Sequence, residues 1–174
     1  MSPLQYACEL GRPECIKILI KNGANVDIGL YDHFTSLYET HVNKSCVMIA
    51  ANNPECLRIL LNNDAQCYVH AEKANPLISA CEEDNIECVE ILLGEGVDPN
   101  TYTYCGCGAE SALFIACKND NAEMAQLLID SGADLNNQGS DMLLLTCQYK
   151  SINCIKLLLK YYDDISVDIL YKIL

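Results

Sequence analysis

The chain has 174 residues, the length of one ordinary domain rather than two. Its 11 basic and 24 acidic residues leave a net charge of −13, which argues against a nucleic-acid groove or an anionic membrane surface as partner, since both need a positive footprint. With 51% apolar residues the chain is not disordered by composition; no stretch reaches the roughly 18 consecutive apolar residues of a membrane span, and Met1–Ser2 opens no signal peptide.

In chain order, one segment keeps returning. PECIKILIKNGANVD (Pro13 to Asp27) recurs as PECLRILLNNDAQCY from Pro54, IECVEILLGEGVDPN from Ile86, AEMAQLLIDSGADLN from Ala122 and INCIKLLLKYYDDIS from Ile152. The equivalent Cys15, Cys56, Cys88, Met124 and Cys154 stand 41, 32, 36 and 30 residues apart. A period of that size is the signature of a stacked-repeat architecture. The reading is one all-α domain over 1–174, with repeats at 2–27, 43–68, 75–100, 111–136 and 141–166. The long first gap is an insertion, 28–42, and the apolar tail 167–174 is expected to fold back as a closing helix.

Each repeat predicts two short helices and a turn. Ser2, Asn43, Asn75, Ser111 and Asp141 all stand at one register before the first helix, and each can accept a hydrogen bond from the free N–H groups of a helix's first turn. The second helix has a broad apolar face, as in Cys15, Ile16, Ile18, Leu19 and Ile20 around Lys17 and Lys21. Gly23, Gly96 and Gly132 supply its left-handed stop; Asp64 and Tyr162 replace that glycine in repeats two and five, so those ends are expected to be less sharply fixed. Leu4, with no turn before it, is expected to face nothing.

SPLQYACELG (Ser2 to Gly11) and NPLISACEED (Asn75 to Asp84) resemble the TPLHxAAxxG motif of ankyrin repeats, and NGANVD and SGADLN resemble that family's helix exit. The resemblance implies an ankyrin-repeat solenoid with hairpin-like turns, binding a partner across its concave face. Repeat two departs from the motif at Asn43-Lys44-Ser45-Cys46. The motif's histidine is replaced by Gln5, Cys46, Ile78, Phe114 and Leu144, which implies loss of an inter-repeat hydrogen bond and a looser stack. The family also makes Asn100 and Asn136 candidate hydroxylation positions.

Eight of the twelve cysteines fall on two repeat-equivalent positions, Cys8, Cys81, Cys117 and Cys147 in first helices and Cys15, Cys56, Cys88 and Cys154 in second helices. Cysteine recurring in an apolar stripe acts as a small hydrophobe, and free buried thiols point to a reducing compartment, cytoplasmic or nuclear. Cys67, His70, Cys105 and Cys107 have the ligand types of tetrahedral zinc. Neighbouring turns about 8–10 Å apart would have to bring those atoms within about 2.3 Å of one ion, so unligated loop cysteines are the favoured reading. No cofactor or other metal is implied. His33, His41 and His70 belong to no recurring constellation, there is no phosphate-binding glycine loop, and adjacent carboxylates such as Glu82–Glu83 diverge on a helix. The chain reads as a non-enzyme.

The candidate partner-binding residues are Glu82, Glu83, Lys118, Asn119 and Tyr149 on the first helices, with Tyr102 and Tyr104 on an extended turn. Tyrosines so placed anchor interfaces, and with the glutamates they suit a basic or amphipathic protein or peptide; the alternative is that they pack over their own loop. Tyr31 and Phe34 lie in the insertion, which either covers repeat two or projects as a recognition element. The repeats are most similar to those of ankyrin-repeat and SOCS-box proteins, which present targets to a cullin ubiquitin ligase. No SOCS-box pattern is read up to Leu174, so only target binding carries over. Two alternatives stand beside this reading. A pathogen or virus effector would fit the nine lysines against two arginines, a bias of A/T-rich genomes. A scaffold segment of a larger repeat protein would predict further repeats.

Overall fold

Prolines and asparagines set where the helices begin. In the computed structural model, which describes residues 1–29, 44–67, 75–105, 108–137 and 140–161, the backbone falls into two compact units, Met1–Asp98 and Pro99–Leu174. The first unit holds α1 (Pro3–Glu9), α2 (Pro13–Lys21), α3 (Cys46–Ile49, continued by a 3-10 turn Ala50–Asn52), α4 (Pro54–Leu61), α5 (Pro76–Glu82) and α6 (Ile86–Gly94). Four of these helices start on a proline, whose missing N–H costs nothing in a helix's first turn. Helix α1 packs on α3 and α3 on α5, while α2 packs on α4 and α4 on α6. The first helices thus form one row and the second helices another.

The second unit repeats this plan with two pairs. Strands β1 (Tyr102–Cys105) and β2 (Gly108–Ser111) form an antiparallel hairpin that runs into α7 (Ala112–Lys118) and α8 (Ala122–Asp130). A shorter hairpin, β3 (Asn136–Asn137) with β4 (Ser140–Asp141), leads into α9 (Met142–Tyr149) and α10 (Ile152–Leu158). The core of each unit lies between its rows. Leu57, Leu60, Leu77 and Leu92 are fully buried in the first unit, as are Leu113, Leu128, Leu143 and Leu158 in the second. Leu4 is 2% exposed and part of this core, because its own repeat covers it; the expectation that it faces nothing is wrong.

The predicted caps hold at three positions and move at one. Ser2, Asn75 and Ser111 each accept a backbone N–H of the helix they precede. In repeat two Ser45 takes that role, accepting from Met48 N at 3.3 Å, so the helix starts later than the register of Asn43 predicts. Just before this start the Gln5 amide donates to Lys44 C=O at 2.9 Å, a long-range bond. Gly29 closes over this bond with φ +93°, and a Cβ there would stand 2.9 Å from Lys44 O. Gln5 therefore supplies one inter-repeat hydrogen bond that the missing histidine was expected to remove.

The second helices have caps of their own, not read from the sequence. Asn53, Asn85 and Asn121 accept from Cys56, Cys88 and Met124. Repeats one and five lack such a cap; in repeat five Asp120 of the preceding repeat replaces it, accepting from the N–H groups of Asn153 at 2.8 Å and Cys154 at 3.0 Å. At the helix exits, Ala24, Val97 and Ala133 donate back to Leu19, Leu92 and Leu128 in the pattern of a Schellman turn. Ala65 donates to Leu60 in the same way with Asp64 at φ +62°, so repeat two ends as sharply as the glycine repeats. Aspartate tolerates the left-handed region better than most residues. Tyr162 and the segment 167–174 lie outside the described residues, as does most of the insertion.

Candidate functional site

In every repeat but the second, the last turn of the first helix, with the residue that caps it, forms an exposed lip. The buried side of the helix fixes its orientation; the residue at the lip is free to vary. In the first unit the lip carries Glu9 and Leu10, then the buried Ala50 and Ala51, then Glu82 and Glu83. Glu82 ends α5 and Glu83 caps it through its N–H; both side chains are exposed. In the second unit the same register holds Lys118 and Asn119, then Gln148 and Tyr149. Lys118 ends α7, Asn119 caps it, and Tyr149, 47% exposed, ends α9.

Tyr102 and Tyr104 lie on β1 opposite Ser111 and Ala109, so the segment is extended as predicted, and Tyr102 is 37% exposed. Glu110 of β2 pairs with Lys118 across 3.3 Å. Lys118 also lies 5.9 Å from the ring centroids of both Phe114 and Tyr149, which meet edge to face at 5.6 Å. Phe114 was read only as a histidine replacement. Its spacing of one helical turn from Lys118 was the available signal; the Tyr149 contact spans two repeats. Tyr31 and Phe34 lie outside the described residues.

The thiols divide by position. Cys8, Cys46, Cys56, Cys81, Cys88, Cys117 and Cys154 are buried, as packing requires. Cys147 is only half-buried and Cys15 is exposed, corrections to the expectation that both registers pack throughout. The equivalent Cys154 faces the preceding repeat, its Sγ 3.8 Å from Ala116 O, and repeat one has no preceding repeat in this chain to face. Burial, with the neighbouring Glu82 and Asp84, pushes the Cys81 thiol up to about 12, and burial with Glu87 does the same to Cys88. A hydrogen bond with the Cys46 thiol, then burial, pushes Cys8 up; the Cys154 thiol acts likewise on Cys117. Cys8, Cys81, Cys88 and Cys117 are thereby held protonated and are poor nucleophiles, while the same hydrogen bonds from Cys8 and Cys117 lower Cys46 and Cys154.

Of the zinc candidates, Cys67 is buried, with its thiol pushed up to about 11 by burial and Glu95. His70, Cys107 and the Cys105 side chain lie outside the described residues, and no group of three or more metal-ligating side chains occurs among those described. Asn100 is fully engaged: its Oδ1 accepts from Asp134 N at 2.7 Å and its Nδ2 donates to Gly132 O at 3.0 Å. Asn136 lies on β3 opposite Asp141. No helix among the described residues is long and apolar enough to cross a membrane.

Models of ankyrin repeats match residues 1–29, 29–103 and 101–169, nearly the whole chain. The chain is an ankyrin-repeat protein. Its similarity to mouse ankyrin repeat, SAM and basic leucine zipper domain-containing protein 1 is 35% identity over 102 residues, 55% of this chain and 19% of that protein. Zebrafish ankyrin repeat and SOCS box protein 11 is 32% identical over 99 residues, 56% of this chain and 30% of the relative. The crystal structure of the human ASB11 ankyrin repeat domain superposes with a TM-score of 0.75 at 25% identity, covering 94% of this chain and 71% of that one. The chain spans less than a third of the length of these two curated relatives. Ankyrin repeats are a non-catalytic, protein-binding fold, and all-α helix pairs with hairpin turns are the architecture found here.

Proposed function

We infer that the chain is a non-catalytic recognition module whose first-helix lips hold a basic or amphipathic segment of a protein partner. One observation carries the reading. Within each unit by itself, the first-helix ends expose Glu82 and Glu83 in one and Lys118, Asn119 and Tyr149 in the other, on helices that bury their opposite sides. Exposed charge and aromatic area on a preorganised backbone is what a specific interface requires. The net charge of −13 favours encounter with a basic partner and disfavours nucleic acid.

The likeness to ankyrin repeat and SOCS box protein 11 supports a finer role, target recognition within a ubiquitin-ligase adaptor. The buried protonated thiols support work in the cytosol or nucleus, to be checked by fractionation; recovery from a secretory compartment contradicts it. Affinity capture with the full chain tests the interaction itself, repeated with Glu82→Lys/Glu83→Lys and with Tyr102→Ala/Tyr149→Ala. A partner lost in either variant supports the lip as its site, and a partner kept by both removes it. Co-capture of a cullin-ligase adaptor supports the finer role; capture of targets without one counts against it.

A further inference from the structure

Three elements of the second unit converge on one ammonium group. Strand β2 holds Glu110 opposite Thr103, α7 brings Phe114 and Lys118 one turn apart, and α9 ends in Tyr149. Lys118 Nζ lies 3.3 Å from Glu110 Oε1 and 5.9 Å from each ring centroid, with the rings inclined at 75°. A carboxylate beside two aromatic rings is an environment that selects a cation, since the ring quadrupole and the carboxylate attract the same charge. Two of the walls differ from the occupant in how firmly they are held, and Tyr149, 47% exposed, is the open side. Phe114 is buried in α7 and the Glu110 side chain is only 14% exposed, whereas the Lys118 side chain is 42% exposed on a flexible stem.

The geometry points to this slot as the recognition site for a cationic side chain of a partner polypeptide, arginine above lysine, with Lys118 as its internal placeholder. The inference rests on the interaction reading above and specifies the partner's chemistry. Arginine fits better because its flat guanidinium stacks on a ring while its donor fork reaches a carboxylate, which an ammonium cannot do at once. Charge decides between an incoming cation and an incoming acid. A carboxylate approaching Lys118 meets Glu110 and the field of a chain of net charge −13; a cation is drawn by that field, and by Glu110 once Lys118 swings aside.

The test uses arrayed short peptides in one neutral Ser/Ala/Leu background, with a single central Arg, Lys, citrulline, norleucine or Glu, probed with the full chain. The Arg peptides are expected to be retained best, Lys next, and the neutral and acidic peptides least. Tyr149→Ala should weaken Arg retention about two- to fivefold, the size of an exposed cation–π contact, and Tyr149→Leu should do the same while keeping apolar area. Glu110→Gln should cost up to about fivefold and reduce the salt dependence. Lys118→Met, which empties the slot, should raise Arg retention about two- to fivefold. Thermal melts on each variant separate these losses from unfolding. Equal retention of Arg and citrulline peptides, a preference for Glu, or an Arg preference unmoved by Glu110→Gln and Tyr149→Leu overturns the proposal. A partner captured through Glu82 and Glu83 while the arrays show no cation preference sinks the slot alone; no partner captured and a flat array sink both readings.

Discussion

The two units build the same helix pairs and offer opposite surfaces at the same register. The first unit presents carboxylates, Glu9, Glu82 and Glu83; the second presents an ammonium held between rings, with Asn119 and Tyr149 beside it. Beneath both lies the same layer of fully buried leucines, Leu77 in one and Leu113 in the other. The difference teaches that the repeat fixes where a side chain stands and leaves its chemistry open. Stability and recognition therefore sit on separate faces of the same short helix, and substitutions should sort accordingly.

The largest expected effect is on the buried layer. Leu77→Ala and Leu113→Ala should each cost about 2–5 kcal/mol, the usual range for emptying a leucine site, read from urea unfolding. A loss below about 1 kcal/mol would mean that the leucines do not carry the stack.

Next come the ties between repeats. Asp120→Ala should cost about 1–2 kcal/mol, because it frees the first N–H groups of α10 and places alanine at φ +55°. Asp120→Asn should retain most of that stability, since it keeps an acceptor and tolerates the left-handed backbone. Equal losses in the two variants would break the capping account.

How much of this was legible follows the range of each interaction. The repeat period, the caps at Ser2, Asn75 and Ser111 and the glycine stops are local patterns, and they read correctly. The Asn53, Asn85 and Asn121 caps are equally local, lying three residues before Cys56, Cys88 and Met124, and were not among the expected caps. The bond from Gln5 to Lys44 C=O just before α3 was not legible, because it joins residues 39 apart. The exposure of Cys15 was hidden for a different reason: a periodic pattern marks which side of a helix packs, not whether a neighbour is there to pack on it. The exposure of Glu82, Glu83, Lys118, Asn119 and Tyr149 follows from the helical register, whereas the Phe114–Tyr149 contact joins two repeats and has no signature in either.

Alkaline pH should sharpen the contrast between core and lip. Cys81 and Cys88 titrate near 12 in the folded chain and near the ordinary 9.0 once unfolded. The unfolded state therefore loses protons first, and the stability these thiols contribute is complete below pH 9 and falls as pH rises toward 12. Cys81 alone accounts for at most about 1.4 kcal/mol per pH unit in that window. Urea midpoints measured across it should decline, and Cys81→Ala should flatten the decline; a flat profile in the parent would show that the thiols ionise equally in both states.

The smallest effects belong to the lips. Glu83→Lys should change unfolding free energy by no more than about 0.5 kcal/mol, since exposed charges contribute little to stability, and Lys118→Met by about 1 kcal/mol, since it leaves the 14% exposed Glu110 side chain without its partner. Their consequences should appear in binding.

Amide hydrogen exchange on the full chain, alone and with the partner recovered by affinity capture, addresses the division of faces most directly. The account predicts added protection at the ends of α5, α7 and α9, around Glu83, Asn119 and Tyr149, with α2 and α10 unchanged. Protection confined to the exposed second-helix residues, Ile18 and Ile152 among them, would contradict it.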